Sequence, residues 1–159
     1  MNEWNKIYKI NRELDEIFIK KYNDKDIFKK NCLELIVEIS ELANETKCFK
    51  YWSIKKPSKE KVLEEYADCI IMILSFYTYY NLKLDNIINH VSTKCIIDLF
   101  SVLFKEASNL INDNKGESIK SIFSNLIYMG KLLKFSDKEI YDACYKKMDV
   151  VKNRLESNY

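Results

Sequence analysis

Two glycines and one proline serve 159 residues. Tight turns draw heavily on those two residue types, so a chain this poor in them has little with which to build a many-stranded sheet. The scarcity predicts an all-α fold, with a few long helices and short connections. The length suffices for one domain with a sizeable core, expected to span residues 1–159. With 47% hydrophobic and 31% charged residues, the composition is globular rather than disordered.

Hydrophobic periodicity gives about six helices. The first, about Glu3 to Lys21, sets Ile7, Ile10, Leu14, Ile17 and Phe18 on one side and Asn11 and Asp15, four apart, on another. The second runs from about Asp26 to Lys47, with Asp24 as its expected N-cap. Pro57 disfavours helix at Lys56, and Ser58 is placed to cap a third helix over Lys59 to Tyr80. The C-terminal half of that third helix is apolar all round, which places it at the centre of the bundle. A fourth is expected from near Asp85, another cap candidate, to about Ile111, on the stripe Ile88, Val91, Cys95, Leu99, Val102 and Leu103. The pattern breaks at Gly116. A fifth helix follows over Ser118 to Lys134, where Gly130 signals a close helix crossing. Ser136 to Glu139 reads SDKE, a capping box that opens a sixth helix ending near Leu155. The most economical packing is a four-helix core from the second to the fifth, with the first and last around it.

Two acidic pairs interrupt the apolar pattern. Glu38 and Glu41 form ExxE in the second helix, and Glu65 and Asp68 form ExxD in the third. Residues three apart share a helical face. The 24 positions between Glu41 and Glu65 leave room for a loop and an antiparallel return. Four carboxylates then face one another across a helical hairpin. An ExxE on its own is also the pattern of a solvated stripe. Here the flanks are Leu35, Ile36, Val37, Ile39 and Leu42 on one side and Cys69 to Leu74 on the other, so the acids sit in largely buried helices. Such a cluster calls for cations, and oxygen donors suit Mg²⁺. Glu34 and Glu45 extend the stripe on the second helix, as outer neighbours of the site or as exposed residues.

Other chemistries find less support. The formal charge of +2 predicts no binding of a nucleic-acid polymer. One histidine, His90, and five cysteines without a CxxC spacing argue against zinc and against a nucleophilic triad. An odd cysteine count and a charged N-terminus without an apolar signal core fit reduced thiols in a cytoplasmic protein. The longest apolar run, Cys69 to Tyr80, falls short of the ~20 residues of a membrane span. Between the second and third helices, Phe49, Tyr51 and Trp52 stand beside Lys47, Lys50, Lys55 and Lys56. They offer either a stacking surface with phosphate donors or core aromatics with solvated lysines.

Those residues resemble a known family. ELANETKCFKYWS, Glu41 to Ser53, followed by EKVLEEYAD, Glu60 to Asp68, is similar to the dimeric all-α dUTPases. That family stands with the MazG-type enzymes and dCTPases among the all-α nucleoside triphosphate pyrophosphatases. INRELDEI, Ile10 to Ile17, resembles the family's opening helix, and YKKMDVVKNRLESNY, Tyr145 to Tyr159, its closing motif. The resemblance implies hydrolysis of dUTP to dUMP and pyrophosphate with Mg²⁺ held by Glu38, Glu41, Glu65 and Asp68. It implies Glu38 as the group that orients or deprotonates the attacking water. Lys50, Lys55, Lys147 and Arg154 become phosphate ligands, Trp52 packs at the uracil, Asn11 and Asp15 read the base edge, and Tyr159 closes over the nucleotide. It further implies a homodimer whose subunits share the site. Some phage members of the family bind a repressor, which adds a protein partner if the chain is phage-encoded.

The chain departs from the family pattern around the nucleoside. Asn11 stands for Gln, Met72 for an aromatic expected against the deoxyribose, Cys69 for Gly and Val151 for Asn. Leu155 and Asn158 replace the Gln and Gly of the last motif. Two alternatives follow: a pyrophosphatase of other selectivity, for example toward dCTP, or a helical dimer that mainly binds a protein partner. The four retained acids favour an enzyme.

Overall fold

Several helix ends are set by short polar side chains or left-handed residues. In a computed structural model, which describes residues 2–84, 93–112 and 116–157, α1 spans Glu3–Tyr22. Asn2 caps it by accepting a hydrogen bond from the Trp4 N–H at 3.3 Å, and Asn23 closes it with φ of 44°. The next helix, α2, covers Ile27–Thr46. Its N-cap is Asp26, not Asp24 as expected. Asp24 stands two residues earlier, where Oδ1 accepts from the Asp26 N–H at 2.8 Å and the carboxylate pairs with Lys30. Helix α3 covers Lys59–Tyr79, with Ser58 Oγ accepting from the Lys61 N–H at 3.4 Å as its cap.

The fourth helix differs most from expectation. Helix α4 covers Ile96–Asn109 and continues as a 3-10 turn over Leu110–Asn112. The expected earlier part, with Asp85, Ile88, His90 and Val91, lies outside the described residues. Thr93 to Cys95 is not helical: Thr93 Oγ1 accepts from the Cys95 N–H at 3.0 Å and turns the chain into α4. Gly116, at φ of 70°, precedes α5 at Glu117–Leu132. The capping box is formed as expected: Ser136 Oγ accepts from the Glu139 N–H at 3.3 Å, Glu139 accepts from the Ser136 N–H at 2.9 Å, and α6 covers Asp137–Glu156. No strand occurs among the described residues.

Helix α3 is the axis, as its all-round apolar half requires. It packs against α1, α2, α5 and α6. As expected, the second to fifth helices close a four-helix core, α2 on α3, α3 on α5, α5 on α4 and α4 on α2, and α1 and α6 pack on each other and on α3 around it. Helix α4 lies against α2 and α5. Trp4 joins three helices by meeting Phe123 of α5 and Tyr141 of α6 edge-on, at 5.5 and 5.1 Å. At the α3–α5 crossing, the buried Tyr66 hydroxyl donates to the Leu126 carbonyl at 2.9 Å. A Cβ at Gly130 would stand 2.7 Å from that hydroxyl oxygen, so the close crossing expected there is real and needs glycine.

Candidate active site

Four helices each lend one stripe to a cavity of about 350 Å³. Asn11, Asp15, Phe18 and Tyr22 come from α1, and Asn31, Glu34 and Glu38 from α2. Helix α3 adds Asp68, Met72 and Ser75, and α6 adds Lys147, Val151 and Arg154. Within each set the spacing is three or four residues, so each occupies one helical face. The cavity exists because α1 and α6 close over the α2–α3 pair.

The acidic end is built by α2 and α3. Glu38, Glu65 and Asp68 each place a carboxylate oxygen within 4.8 Å of the other two. Glu38 Oε2 and Asp68 Oδ1 are buried without a hydrogen-bond partner. A buried acceptor left in that state costs ~1–3 kcal/mol, more if it is charged. Asp68 Oδ2 accepts from Lys147 Nζ, which brings one cation from α6 to the edge of the cluster. Burial pushes the Glu38 carboxyl up to about 7, with the Asp68 charge adding to the shift and Lys147 opposing it. Burial also raises Glu65, where the Asp68 and Glu41 charges add to it. Asp68 is raised by burial against its Lys147 hydrogen bond, and Glu34 by burial against the Lys147 charge. Acids held above their ordinary range, two of them with an oxygen that meets no donor, form a donor set fit for a hard divalent cation.

Glu41 does not join the three close oxygens. It is exposed, one turn along α2 from Glu38, yet its charge still raises Glu38, Glu65 and Asp68. Three of the four expected ligands are therefore in mutual reach, and Glu41 stands at the rim.

At the other end, Asn11 is 2% exposed. Its Nδ2 donates to Asp15 Oδ2 at 3.1 Å and to Ser75 Oγ at 3.2 Å. Ser75 Oγ donates in turn to Asp15 Oδ1 at 2.8 Å. Burial pushes the Asp15 carboxyl up to about 6, against hydrogen bonds from Ser75 and Thr78. Met72 and Val151, two of the departures from the family pattern, line the wall between the amide and the acids.

The loop residues do not reach this cavity. Tyr51 is 95% exposed, Trp52 64% and Phe49 47%, so the aromatics do not tuck into the core. Trp52 meets Tyr51 edge-on at 5.0 Å. Lys50 Nζ donates to Asn44 Oδ1 at 2.6 Å and lies over the Phe49 ring, and Lys55 is exposed. Of the expected phosphate ligands, the structure brings Lys147 and Arg154 to the cavity and leaves Lys50 and Lys55 outside it, together with Trp52. Tyr159 lies outside the described residues. Sequence reasoning passed over Ser75 and Asn31. Ser75 follows Asp68 by seven positions, two helical turns, so a count along the Asp68–Met72 face would have found it.

The dUTPase family model matches residues 3–159. Neither the curated proteins nor the solved structures gave a match to the chain. The matched span holds the acidic triad, the buried amide and the cavity that joins them. The chain belongs to the dUTPase family, hydrolases that act on dUTP as nucleoside triphosphate pyrophosphatases.

Proposed function

We propose that this chain, as one domain, is a Mg²⁺-dependent dUTP diphosphatase that releases dUMP and pyrophosphate from the cavity between α1, α2, α3 and α6. The observation that carries this reading is the pair of buried, unpartnered oxygens, Glu38 Oε2 and Asp68 Oδ1, on two residues that line the same cavity as the buried Asn11 amide. Glu38, Glu65 and Asp68 would hold Mg²⁺, with Glu41 reaching in from the rim. When bound, Mg²⁺ supplies charge neutralisation to the triphosphate and Lewis acidity at the reacting phosphate. Glu38, beside that ion, would orient or deprotonate the attacking water. Lys147 and Arg154 face the phosphates from α6, and the Asp68 contact holds the Lys147 ammonium at the boundary between acids and phosphates. Asn11 reads the base from the far wall. All three of its Nδ2 contacts, the weakest to the Ile71 carbonyl at 3.5 Å, run to protein acceptors. That leaves Oδ1 as the acceptor for the N3–H of uracil.

Lys50, Trp52 and Lys55 enter this reading through a homodimer. Their loop stands outside the cavity of its own chain and carries the aromatic and basic groups that suit a nucleotide held by a second copy. The five free thiols suit a reducing compartment, and we place the enzyme in the cytoplasm.

Pyrophosphate release from dUTP, dCTP, dTTP and UTP with Mg²⁺ tests the reading. The expected result is preferential turnover of dUTP, reduced roughly 10²–10⁴-fold in Glu38→Gln. Preferential turnover of dCTP would keep the acidic site and overturn the assignment of the base. No turnover of any nucleotide would overturn the enzyme and leave the protein-binding alternative.

A further inference from the structure

We infer that Ser75 and Asp15 are positioning residues for base selectivity: together they fix which end of the Asn11 amide meets the nucleobase. The inference rests on the proposed role of Asn11 and goes beyond it. The three side chains close a ring of hydrogen bonds between α1 and α3. Asn11 Nδ2 donates to Asp15 Oδ2 and to Ser75 Oγ, and of the two acceptors beside the Ser75 hydroxyl its single proton goes to the nearer and charged one, Asp15 Oδ1 at 2.8 Å, rather than to the Ile71 carbonyl at 3.3 Å. A hydroxyl has one proton and can still accept. The ring therefore uses both Asn11 N–H groups as donors toward the protein. An amide turned the other way would set Asn11 Oδ1 against a carboxylate oxygen and against a hydroxyl oxygen whose proton is already committed. Two acceptor–acceptor contacts in a buried setting make that orientation unfavourable.

Nothing on Asn11 itself selects an orientation, because an amide side chain offers a donor and an acceptor of nearly equal shape. The choice comes from Asp15, which only accepts when ionised, and from Ser75, whose proton is drawn to Asp15. The outward atom is then an acceptor. It suits the N3–H of uracil and of thymine, and it opposes the unprotonated N3 of cytosine. Ser75 and Asp15 thus act on cytosine rejection through Asn11, and they have no part in sensing the 5-methyl group of thymine.

That last point separates positioning from mere support. Without the Ser75 hydroxyl or the Asp15 charge, the amide is free to turn and to offer an N–H to cytosine. The test compares kcat/KM for dUTP, dTTP and dCTP in the wild type, Ser75→Ala, Asp15→Asn and Ser75→Thr, with folding checked by thermal melting. We expect Ser75→Ala and Asp15→Asn to raise the dCTP/dUTP ratio about ten-fold or more, the scale of discrimination set by one buried polar mismatch. The change should appear in KM rather than kcat, with the dTTP/dUTP ratio unmoved. Ser75→Thr, which keeps the hydroxyl, should retain the wild-type ratio. If Ser75→Ala fails to fold, the near-isosteric Asp15→Asn carries the same prediction. An unchanged dCTP/dUTP ratio in a folded variant would overturn the inference. So would a joint rise for dCTP and dTTP, the mark of a loosened pocket. A wild type that does not distinguish dUTP from dCTP would instead overturn the reading of Asn11 itself.

Discussion

Asp15 holds its carboxylate among neutral partners: the Asn11 amide, the Ser75 hydroxyl and Thr78. Burial pushes its pKa from 3.8 to about 6. The folded state therefore binds this proton more tightly than the unfolded chain does. The stability that comes with protonation is fully present below about pH 4 and is lost as pH rises through about 6. Above that range the fold carries a desolvated charge, a cost of at most ~3 kcal/mol for a shift of this size. Asp15→Asn removes the charge. Denaturant unfolding should show the variant more stable than the wild type at pH 8, by ~1–3 kcal/mol, with the gap shrinking toward pH 4.5. A variant less stable at both pH values would mean that the hydrogen bonds outweigh the desolvation. At this scale the sequence was partly legible. Asn11 and Asp15 stand four apart on one helix, and any reading of the face pairs them. Ser75 is 64 positions from Asn11 and 60 from Asp15, and no local pattern in either helix announces a bond between them.

At the scale of helices, the start of α4 shows what periodicity cannot see. The apolar stripe continues at helical spacing back through Cys95, so it carries no mark of where the helix begins at Ile96. The stop is set by Thr93 bonding the Cys95 N–H, a contact within a non-helical turn. The SDKE box at α6 was legible because its two hydrogen bonds are between residues three apart. Ser136→Ala should lower stability by ~1 kcal/mol, read as a shift in denaturant midpoint at constant slope. Gly130 was legible for a different reason: glycine inside a helix is a defect unless something approaches closely. Ala at that position gains ~1 kcal/mol of helix propensity, yet its Cβ would meet the Tyr66 hydroxyl at 2.7 Å and the Ile140 methyl at 3.1 Å. Overpacking of this kind typically costs ~1–3 kcal/mol. Gly130→Ala is therefore expected to destabilise, and Tyr66→Phe, which removes the clashing oxygen, should recover part of the loss in a double-mutant cycle. Strict additivity of the two changes would show that the contact does not restrain the crossing.

For the whole molecule, each helix's periodicity fixes which face is buried and leaves open which neighbour buries it. That is why the acids were found from sequence while the cavity beside them was not: α1 and α6, expected around the core and packed there, also form half its wall. The same enclosure creates the electrostatic problem that a cation would solve, and the two states of the site should respond oppositely to pH. In the metal-free protein, Glu38 binds its proton up to about pH 7. Raising the pH through that value charges a carboxyl already beside Asp68, so metal-free stability should fall between pH 6 and pH 8. The effect is modest, because Glu38 is only half-buried. A cation reverses the sign, since it needs Glu38 ionised and must displace that proton at lower pH. A ligand at one hundred times its dissociation constant adds ~2.7 kcal/mol to a fold that alone can bind it, which for a chain of this size is a rise of several degrees in Tm. Thermal melting with and without Mg²⁺ at pH 6, 7 and 8 should then give two lines of opposite slope, the Mg²⁺-dependent gain being largest at pH 8. Glu38→Gln should stabilise the metal-free protein at pH 8 and abolish the response to Mg²⁺, because one substitution removes both the repulsion and a ligand. A Mg²⁺ response that survives in Glu38→Gln, or one that grows as pH falls, would place the cation elsewhere than among Glu38, Glu65 and Asp68.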